Sequence, residues 1–96
     1  MTTTVTANDD EERYEISVDG EPAGFTEVHI HGDVARMPHT EISPEFGGRG
    51  LATTLIRETL DDLRARGLRV RATCPFVRAF IEKHPEYSDL VVSGTH

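Results

Sequence analysis

The sequence lacks the features of disulfide-bonded, membrane-spanning and nucleic-acid-binding proteins. Its 96 residues include one cysteine, Cys74, which excludes an internal disulfide and fits a reducing compartment. No apolar run approaches the roughly 18 residues of a membrane span, and the N-terminal stretch MTTTVTANDDEE has no basic or apolar signal region. The net charge of −7 argues against nucleic acid as a partner. We therefore expect a cytoplasmic protein with no membrane partner.

The length and the charge distribution favour one small domain with two unlike halves. We expect residues 1–12 to form a disordered, solvated tail and residues 13–96 to form the domain. Residues 1–45 carry eleven acids and two bases, whereas residues 46–96 carry eight bases and six acids. The half that begins with a glycine cluster is thus the basic half. Solvated arginines on helix faces are the alternative explanation of this charge difference.

The first half has the alternation of antiparallel strands. Tyr14, Ile16 and Val18 alternate with polar residues, and Asp19-Gly20 and Gly32-Asp33 are hairpin turn signals. The alternation changes phase before the second turn, which predicts a bulge near Thr26, and a third strand runs over residues 34–43. Proline at position 38 makes that third strand irregular or places it at an edge.

The second half predicts a β-α-β crossover followed by another helix. Residues 50–66 have a helical apolar stripe that ends before Gly67, and residues 68–73 read as a strand. A second helix begins at Pro75 and stops before Pro85, and residues 90–92 are a candidate final strand. Since such crossovers are right-handed and make their strands parallel, we predict an α/β fold with a mixed sheet.

The stretch EFGGRGLATTL, residues 45–55, places three glycines where the long helix begins. The first N–H groups of a helix lack internal partners, and with the helix dipole they form an anion site that glycine leaves accessible. Arg49 would add charge there. The alternative is a tight turn that needs glycine for its backbone angles alone. Neither a Lys-Ser/Thr pair after the glycines nor a GxGxxG pattern is present.

The segment GGRGLA, residues 47–52, resembles the pyrophosphate-binding loop of the GNAT superfamily of acetyl-CoA-dependent N-acetyltransferases, although Gly47 replaces the Gln or Arg of that signature. Together, HTEISPEFGGRGLA (39–52) and TCPFVRAFIEKHPEY (73–87) resemble a compact single-domain subfamily. The resemblance implies a mixed sheet that splays open, with coenzyme A in the gap. The candidate coenzyme-binding residues are Ile42, Ser43, Gly47, Gly48, Arg49, Gly50, Leu51, Ala52 and, from its position, Arg78.

The one cysteine is a candidate catalytic residue. Cys74 precedes Pro75 at the expected N-cap of the second helix, where the helix dipole favours a thiolate. The resembling subfamily has a proposed active-site cysteine in the same block. Two roles remain open: Cys74 accepts the acetyl group and passes it on, or it protonates the leaving thiolate of coenzyme A.

His39 and Glu41 are the candidates for a general base. They lie two residues apart on a strand and so point to one face. Histidine titrates near neutral pH, and Glu41 is the second choice, directly or through a water. A surface histidine is the plain alternative. With a two-residue turn at 32–33, His29 pairs with Arg36 and His39 faces Thr26, so the histidines are too far apart for one zinc and we expect no metal.

These features predict an N-acetyltransferase that uses acetyl-CoA and transfers acetyl to an unidentified amine, on a small molecule or a protein. A coenzyme A binding module without transferase activity, a sensor or adaptor, is the alternative. A domain whose glycine loop merely turns the chain is the third possibility. A monomer or weak homodimer fits the predicted edge strand.

Overall fold

The computed structural model describes residues 2–92, and within that range the chain forms seven strands and two α-helices. The strands are β1 Thr3–Asn8, β2 Arg13–Val18, β3 Glu21–Glu27, β4 His29–His31, β5 Val34–Met37, β6 Thr40–Ile42 and β7 Arg69–Ala72. The helices are α1 Leu51–Ala65 and α2 Pro75–Lys83, and two 3-10 turns cover Pro44–Phe46 and Pro85–Leu90.

The strands form a four-stranded sheet in the order β1-β2-β3-β6 and a three-stranded sheet in the order β4-β5-β7. β7 follows α1 and pairs with β5 in parallel, as a β-α-β crossover requires. The pairs β1/β2, β2/β3, β3/β6 and β4/β5 are antiparallel. The predicted α/β fold with a mixed sheet is confirmed, and so is the pairing of His29 with Arg36.

A bulge divides the predicted third strand into β5 and β6. The registers of β4/β5 and β3/β6 differ by one residue, so that Met37 and Pro38 together stand opposite Val28. Pro38 has no N–H to give to a ladder, and a bulge is a position where a strand can hold it. At this bulge the chain passes from β5 to β6, and the two sheets separate at this point.

Two predictions about this region are wrong by a small step in register. The bulge of the second predicted strand lies at Ala23, three residues before Thr26, where the β2/β3 register shifts between Ile16 and Ser17, and His39 does not face Thr26. Thr40 is opposite Thr26, while the Glu27 N–H donates to the His39 carbonyl at 2.8 Å. The error in the position of His39 arises because the third strand has an extra residue of its own, at Met37 and Pro38.

The expected N-terminal tail is a strand instead. β1 pairs with β2 along six residues, and Val5 packs against the core. The acidic run at residues 9–12 forms the turn between them. The β-branched threonines and valine of β1 suit an edge strand, and their polarity reflects the exposure of that edge rather than disorder.

Helix α1 covers one face of the four-stranded sheet. Its buried side chains include the whole predicted apolar stripe: Leu51, Leu55, Ile56, Leu60 and Leu63. Tyr14 of β2 donates a hydrogen bond to Asp62 and accepts one from Arg66 Nη1 at 2.9 Å, and burial raises the pKa of Tyr14 to about 12. The opposite sheet face, which carries Arg13 and Glu15, is called the outer face below.

The end of the described chain differs from the prediction. Pro85 opens a 3-10 turn that includes Leu90, and the expected final strand is reduced to an isolated parallel bridge between Val70 and Val91. The Val92 N–H donates to the Val70 carbonyl at 2.9 Å. The last residues of the predicted domain, 93–96, lie outside the described range.

Candidate active site

A gap opens in the sheet beside β6. β5 pairs with β7 up to Met37, and the Cys74 N–H then donates to the Met37 carbonyl at 2.9 Å. Beyond the bulge, β6 is the edge of the four-stranded sheet, with β3 as its neighbour. The chain after β7 turns into α2 instead of following β6. The predicted splay of the sheet is thereby confirmed.

Two backbone amides of β6, those of Thr40 and Ile42, point away from β3, and that of Ile42 is nearer to the glycine loop along the chain. The Ser43 N–H donates to the Ala23 carbonyl, and the Glu27 N–H donates to the His39 carbonyl, both at 2.8 Å. In an antiparallel ladder, residues that bond the neighbouring strand alternate with residues that point away from it. By this alternation the N–H of Ile42 is directed away from β3, toward the gap.

The glycine loop at the end of the gap holds two glycines in left-handed conformations. Gly48 has φ +78° and Gly50 has φ +71°. An added Cβ at either position would meet no described atom within 4 Å, so both the backbone angles and the open approach are present. The N–H of Gly47 is different: it donates to the Pro44 carbonyl at 3.1 Å. Among the backbone amides predicted to bind the pyrophosphate, that of Gly47 is therefore directed inward, toward a protein carbonyl.

The N-terminus of α1 completes the loop. Gly50 is the N-cap, and the Thr54 N–H donates to the Gly50 carbonyl at 3.2 Å as the helix begins. The amides of Leu51 and Ala52 precede that first helical hydrogen bond and lie at the positive end of the helix dipole. The Arg49 guanidinium carbon lies 5.5 Å from the centre of the Phe46 ring, beside the loop.

His39 and Glu41 lie together on the outer face of β6. His39 Nε2 is 3.1 Å from Glu41 Oε1, and the two side chains are 51% and 62% exposed. Glu41 is opposite Phe25, whose ring centroid is 6.0 Å from that of His39. The prediction that these two side chains share a face is confirmed.

Cys74 lies on the other side of β6. Its thiol donates to Thr40 Oγ1 at 3.7 Å, and Thr40 Oγ1 is 2.8 Å from Thr26 Oγ1, which donates to the His39 carbonyl at 3.3 Å. Cys74 is 5% exposed. It is the N-cap residue of α2, as predicted. The structure thus keeps Cys74 and the His39 ring on opposite faces of one strand.

Two threonines, Thr26 and Thr40, take part in this series of hydrogen bonds. Neither was among the candidate residues selected from the sequence. Thr26 is fully buried and Thr40 is half-buried. The sequence feature that could have identified them is the pairing of two threonines on the core face of adjacent strands. It was hidden because the predicted register placed His39, and not Thr40, opposite Thr26.

Arg78 lines a depression that the glycine loop does not share. This depression is open, has a volume of about 490 Å³ and is also lined by Arg71, Thr73, Ile81 and Val91, and no residue from 42 to 52 lines it. Arg78 belongs to the first turn of α2, and its contact with the coenzyme stays a prediction.

Two general properties concern residues 2–92. No helix in this range has the length and apolar character needed to cross a membrane. In the same range, no group of three His, Cys, Asp or Glu side chains is arranged to hold a metal ion. His29 instead contacts two carboxylates, Glu27 at 2.9 Å and Glu12 at 3.2 Å, and these hydrogen bonds raise its pKa.

Comparisons with known proteins agree with this architecture. A GCN5-like protein from Staphylococcus aureus superposes with a TM-score of 0.71 at 21% identity, over 97% of this chain and 91% of the other. The PaiA N-acetyltransferase of Thermoplasma acidophilum, solved with coenzyme A, superposes with a TM-score of 0.60 at 19% identity, over 75% of this chain and 48% of the other. These likenesses concern the fold.

Sequence comparison gives the family. Protein NATD1 of Bos taurus is 31% identical over 52 residues, which are 54% of this chain and 46% of NATD1. The chain therefore spans about half the length of this relative. The family profile described as GCN5-related N-acetyl-transferase matches residues 13–90, from β2 to the last 3-10 turn. By that match the chain belongs to the GCN5-related N-acetyltransferase family.

Proposed function

We propose that this protein transfers acetyl from acetyl-CoA to an amine, with the coenzyme in the gap beside β6. The observation that carries the proposal is the gap itself: it begins at the bulge, and the strand that borders it, β6, leads along the chain into the glycine loop and α1. The amides of Gly48 to Ala52 would hold the pyrophosphate. The pantetheine would follow Ile42 and Ser43. PaiA, a structural neighbour, was solved with coenzyme A.

The reaction assigns a role to each side of β6. Acetyl-CoA supplies a thioester carbonyl. His39 or Glu41 takes a proton from the amine on the outer face, and the neutral nitrogen attacks the carbonyl carbon. The Ile42 N–H stabilises the negative charge that develops on the carbonyl oxygen. The C–S bond then breaks and the coenzyme leaves as a thiolate that gains a proton. The nitrogen loses its second proton to solvent, and the neutral amide is released. Positioning of the two reactants supplies much of the rate.

The hydrogen-bond chain at Cys74 favours the role of proton donor over that of acetyl carrier. Each hydroxyl has one hydrogen. Since Thr26 donates to the His39 carbonyl, Thr40 donates to Thr26 and accepts from the thiol of Cys74. The chain ends at a carbonyl, which accepts but cannot take up a proton. This hydrogen-bond chain contains no group that would take the proton of the thiol, so the role that we propose for Cys74 is to protonate the departing thiolate.

This role predicts the outcome of a trapping experiment. Intact mass spectrometry of protein quenched during turnover should show no acetyl adduct on Cys74. Cys74→Ser should retain more of kcat than Cys74→Ala, because a hydroxyl also donates a proton. An adduct that accumulates in the wild type and is lost in Cys74→Ala would show that Cys74 carries the acetyl group instead.

A second prediction tests the glycine loop. Gly50→Ala should weaken acetyl-CoA binding about tenfold, since a left-handed alanine costs roughly 1–2 kcal/mol and its relief would move the helix N-terminus. Gly67→Ala is the matched control, because Gly67 has φ +76°, equally open surroundings and a place at the other end of α1. Both variants should lose similar stability in urea, but calorimetry should show weaker binding in Gly50→Ala alone.

Two further results define the alternatives. Pantetheine lacks the pyrophosphate, so its affinity should be the same in wild type and Gly50→Ala; an equal loss for both ligands would move the pyrophosphate away from this loop. Binding of acetyl-CoA without acetylation of any amine would indicate a coenzyme A binding module.

We propose a cytoplasmic protein, monomeric or weakly dimeric, whose acceptor is an amine of a small molecule or a protein.

A further inference from the structure

A depression of about 230 Å³ on the outer face crosses β2, β3 and β6. The side chains that matter in it are Arg13, Glu15, Phe25, Glu41 and Ser43. Its volume is below the ~300–1,000 Å³ of pockets that take drug-sized ligands. A compact molecule, or one group of a larger one, would fill it.

The depression is continuous with the proposed catalytic groups. Glu41 is part of its wall, and His39 Nε2 is 3.1 Å from the Glu41 carboxylate. Ser43, at the end of β6, leads into the glycine loop. An amine in the depression would lie next to the candidate base, with its other side toward the strand that borders the gap.

The charges inside the depression are unequal. Arg13 Nε donates to Glu15 Oε2 at 2.7 Å, and Asn8 Nδ2 donates to the same oxygen at 3.0 Å. These hydrogen bonds, from Arg13 first and then from Asn8, hold the pKa of Glu15 below its usual range. The one guanidinium of the lining is thus balanced by a carboxylate, and Glu41 adds a further negative charge.

An aromatic surface forms part of the same wall. The Arg13 guanidinium carbon is 4.6 Å from the centre of the Phe25 ring, so Arg13 is held between this ring and Glu15. Arg13 is therefore poorly placed to bind a second carboxylate, because that would compete with Glu15. In the rest of the lining, Pro22 and Gly24 are apolar, and Ser17 adds one hydroxyl.

We propose that this depression binds the acceptor, and that the acceptor is a compact primary amine with an apolar or aromatic body and no carboxylate beside the amine. The inference rests on the proposed acetyl transfer. The Arg13–Glu15 pair is its specificity device: it leaves a site that attracts an ammonium group and repels an α-amino acid. Charge repulsion across a binding site is an effective means of rejecting the wrong ligand.

The test compares phenethylamine with phenylalanine, which differ by one carboxylate. The wild type should have a kcat/KM for phenethylamine at least about tenfold higher. Glu15→Gln releases Arg13, and the preference should fall about fivefold or more. Glu21→Gln is the control, since it removes the same charge from an exposed position of β3 that does not line the depression; its preference should match that of the wild type.

A binding measurement separates this inference from the proposed function. In an amide NMR titration of the coenzyme-A-saturated protein, phenethylamine should shift the signals of Ser17, Phe25 and Glu41. Turnover of amines with an unchanged preference in Glu15→Gln, or shifts confined to the other sheet face, would overturn the acceptor site and leave acetyl transfer standing. No heat with acetyl-CoA would overturn acetyl transfer, and the titration of the free protein would still show whether the depression binds the amine.

Discussion

Exchange of His39 for alanine should lower kcat for amine acetylation by about 100-fold or more, because a positioned general base contributes roughly 10²–10⁴ to a rate. The KM for acetyl-CoA should change little, since the ring lies on the outer face and the proposed coenzyme path lies in the gap. Steady-state kinetics with saturating amine would measure both quantities. His31→Ala is the control, because His31 is an exposed histidine of β4, which belongs to the other sheet.

The partner carboxylate makes the result more informative. Glu41 Oε1 is 3.1 Å from His39 Nε2, so Glu41→Gln should also lower kcat. If the two residues act as one unit, the double variant should be no slower than His39→Ala, because the losses of coupled groups do not add. Full activity in His39→Ala together with a large loss in Glu41→Gln would identify Glu41 as the base. Full activity in both would remove the pair from the mechanism.

Gly24→Ala should have the largest effect on stability, a loss of about 3 kcal/mol or slightly less. The Cβ would lie 2.6 Å from Ile42 Cδ1 and 3.0 Å from Ile42 Cα, and it would also overlap the Glu41 carbonyl oxygen. Backbone atoms cannot move aside cheaply, and overpacking of this kind costs roughly 1–3 kcal/mol. Urea unfolding monitored by circular dichroism would measure the change.

The same substitution should also reduce activity, because β6 has to move away from β3. That displacement would shift the Ile42 N–H and the Glu41 carboxylate together. Gly20→Ala is the control: Gly20 has φ +85° in the β2–β3 turn and nothing within 4 Å of an added Cβ. It should lose about 1 kcal/mol to backbone strain and keep its kcat. A Gly24→Ala protein as stable as the wild type would show that β6 adapts without cost.

Elements with strong local signals could be predicted from the sequence. The turn at Asp19-Gly20, the apolar stripe of α1 and the proline at the start of α2 each depend on nearby residues. β1 could not be recognised, because six residues of polar β-branched sequence become a strand only when β2 offers its edge. The parallel pairing of β7 followed from the rule on crossovers rather than from any residue within that strand.

The candidate site was predictable in its parts and less so in its arrangement. The glycine conformations and the shared face of His39 and Glu41 follow from local chain geometry. The opposite placement of Cys74 depends on which face each residue of β6 presents, and the bulge decides that. The inward amide of Gly47 depends on the 3-10 turn Pro44–Phe46, which is too short for a periodic sequence pattern to reveal.

The bulge at Met37 and Pro38 has a consequence for chain length. In β5, Ala35 and Met37 face the core, and unbroken alternation would send His39 inward as well. The extra residue reverses the phase, so that Thr40 is inside and Glu41 outside. Deleting a single residue between the Gly32 turn and Thr40 would reverse which side chains of β6 face the core, so that Glu41 would point inward and Thr40 outward. The distance in residues along this stretch is thus under stricter constraint than the identity of most residues in it.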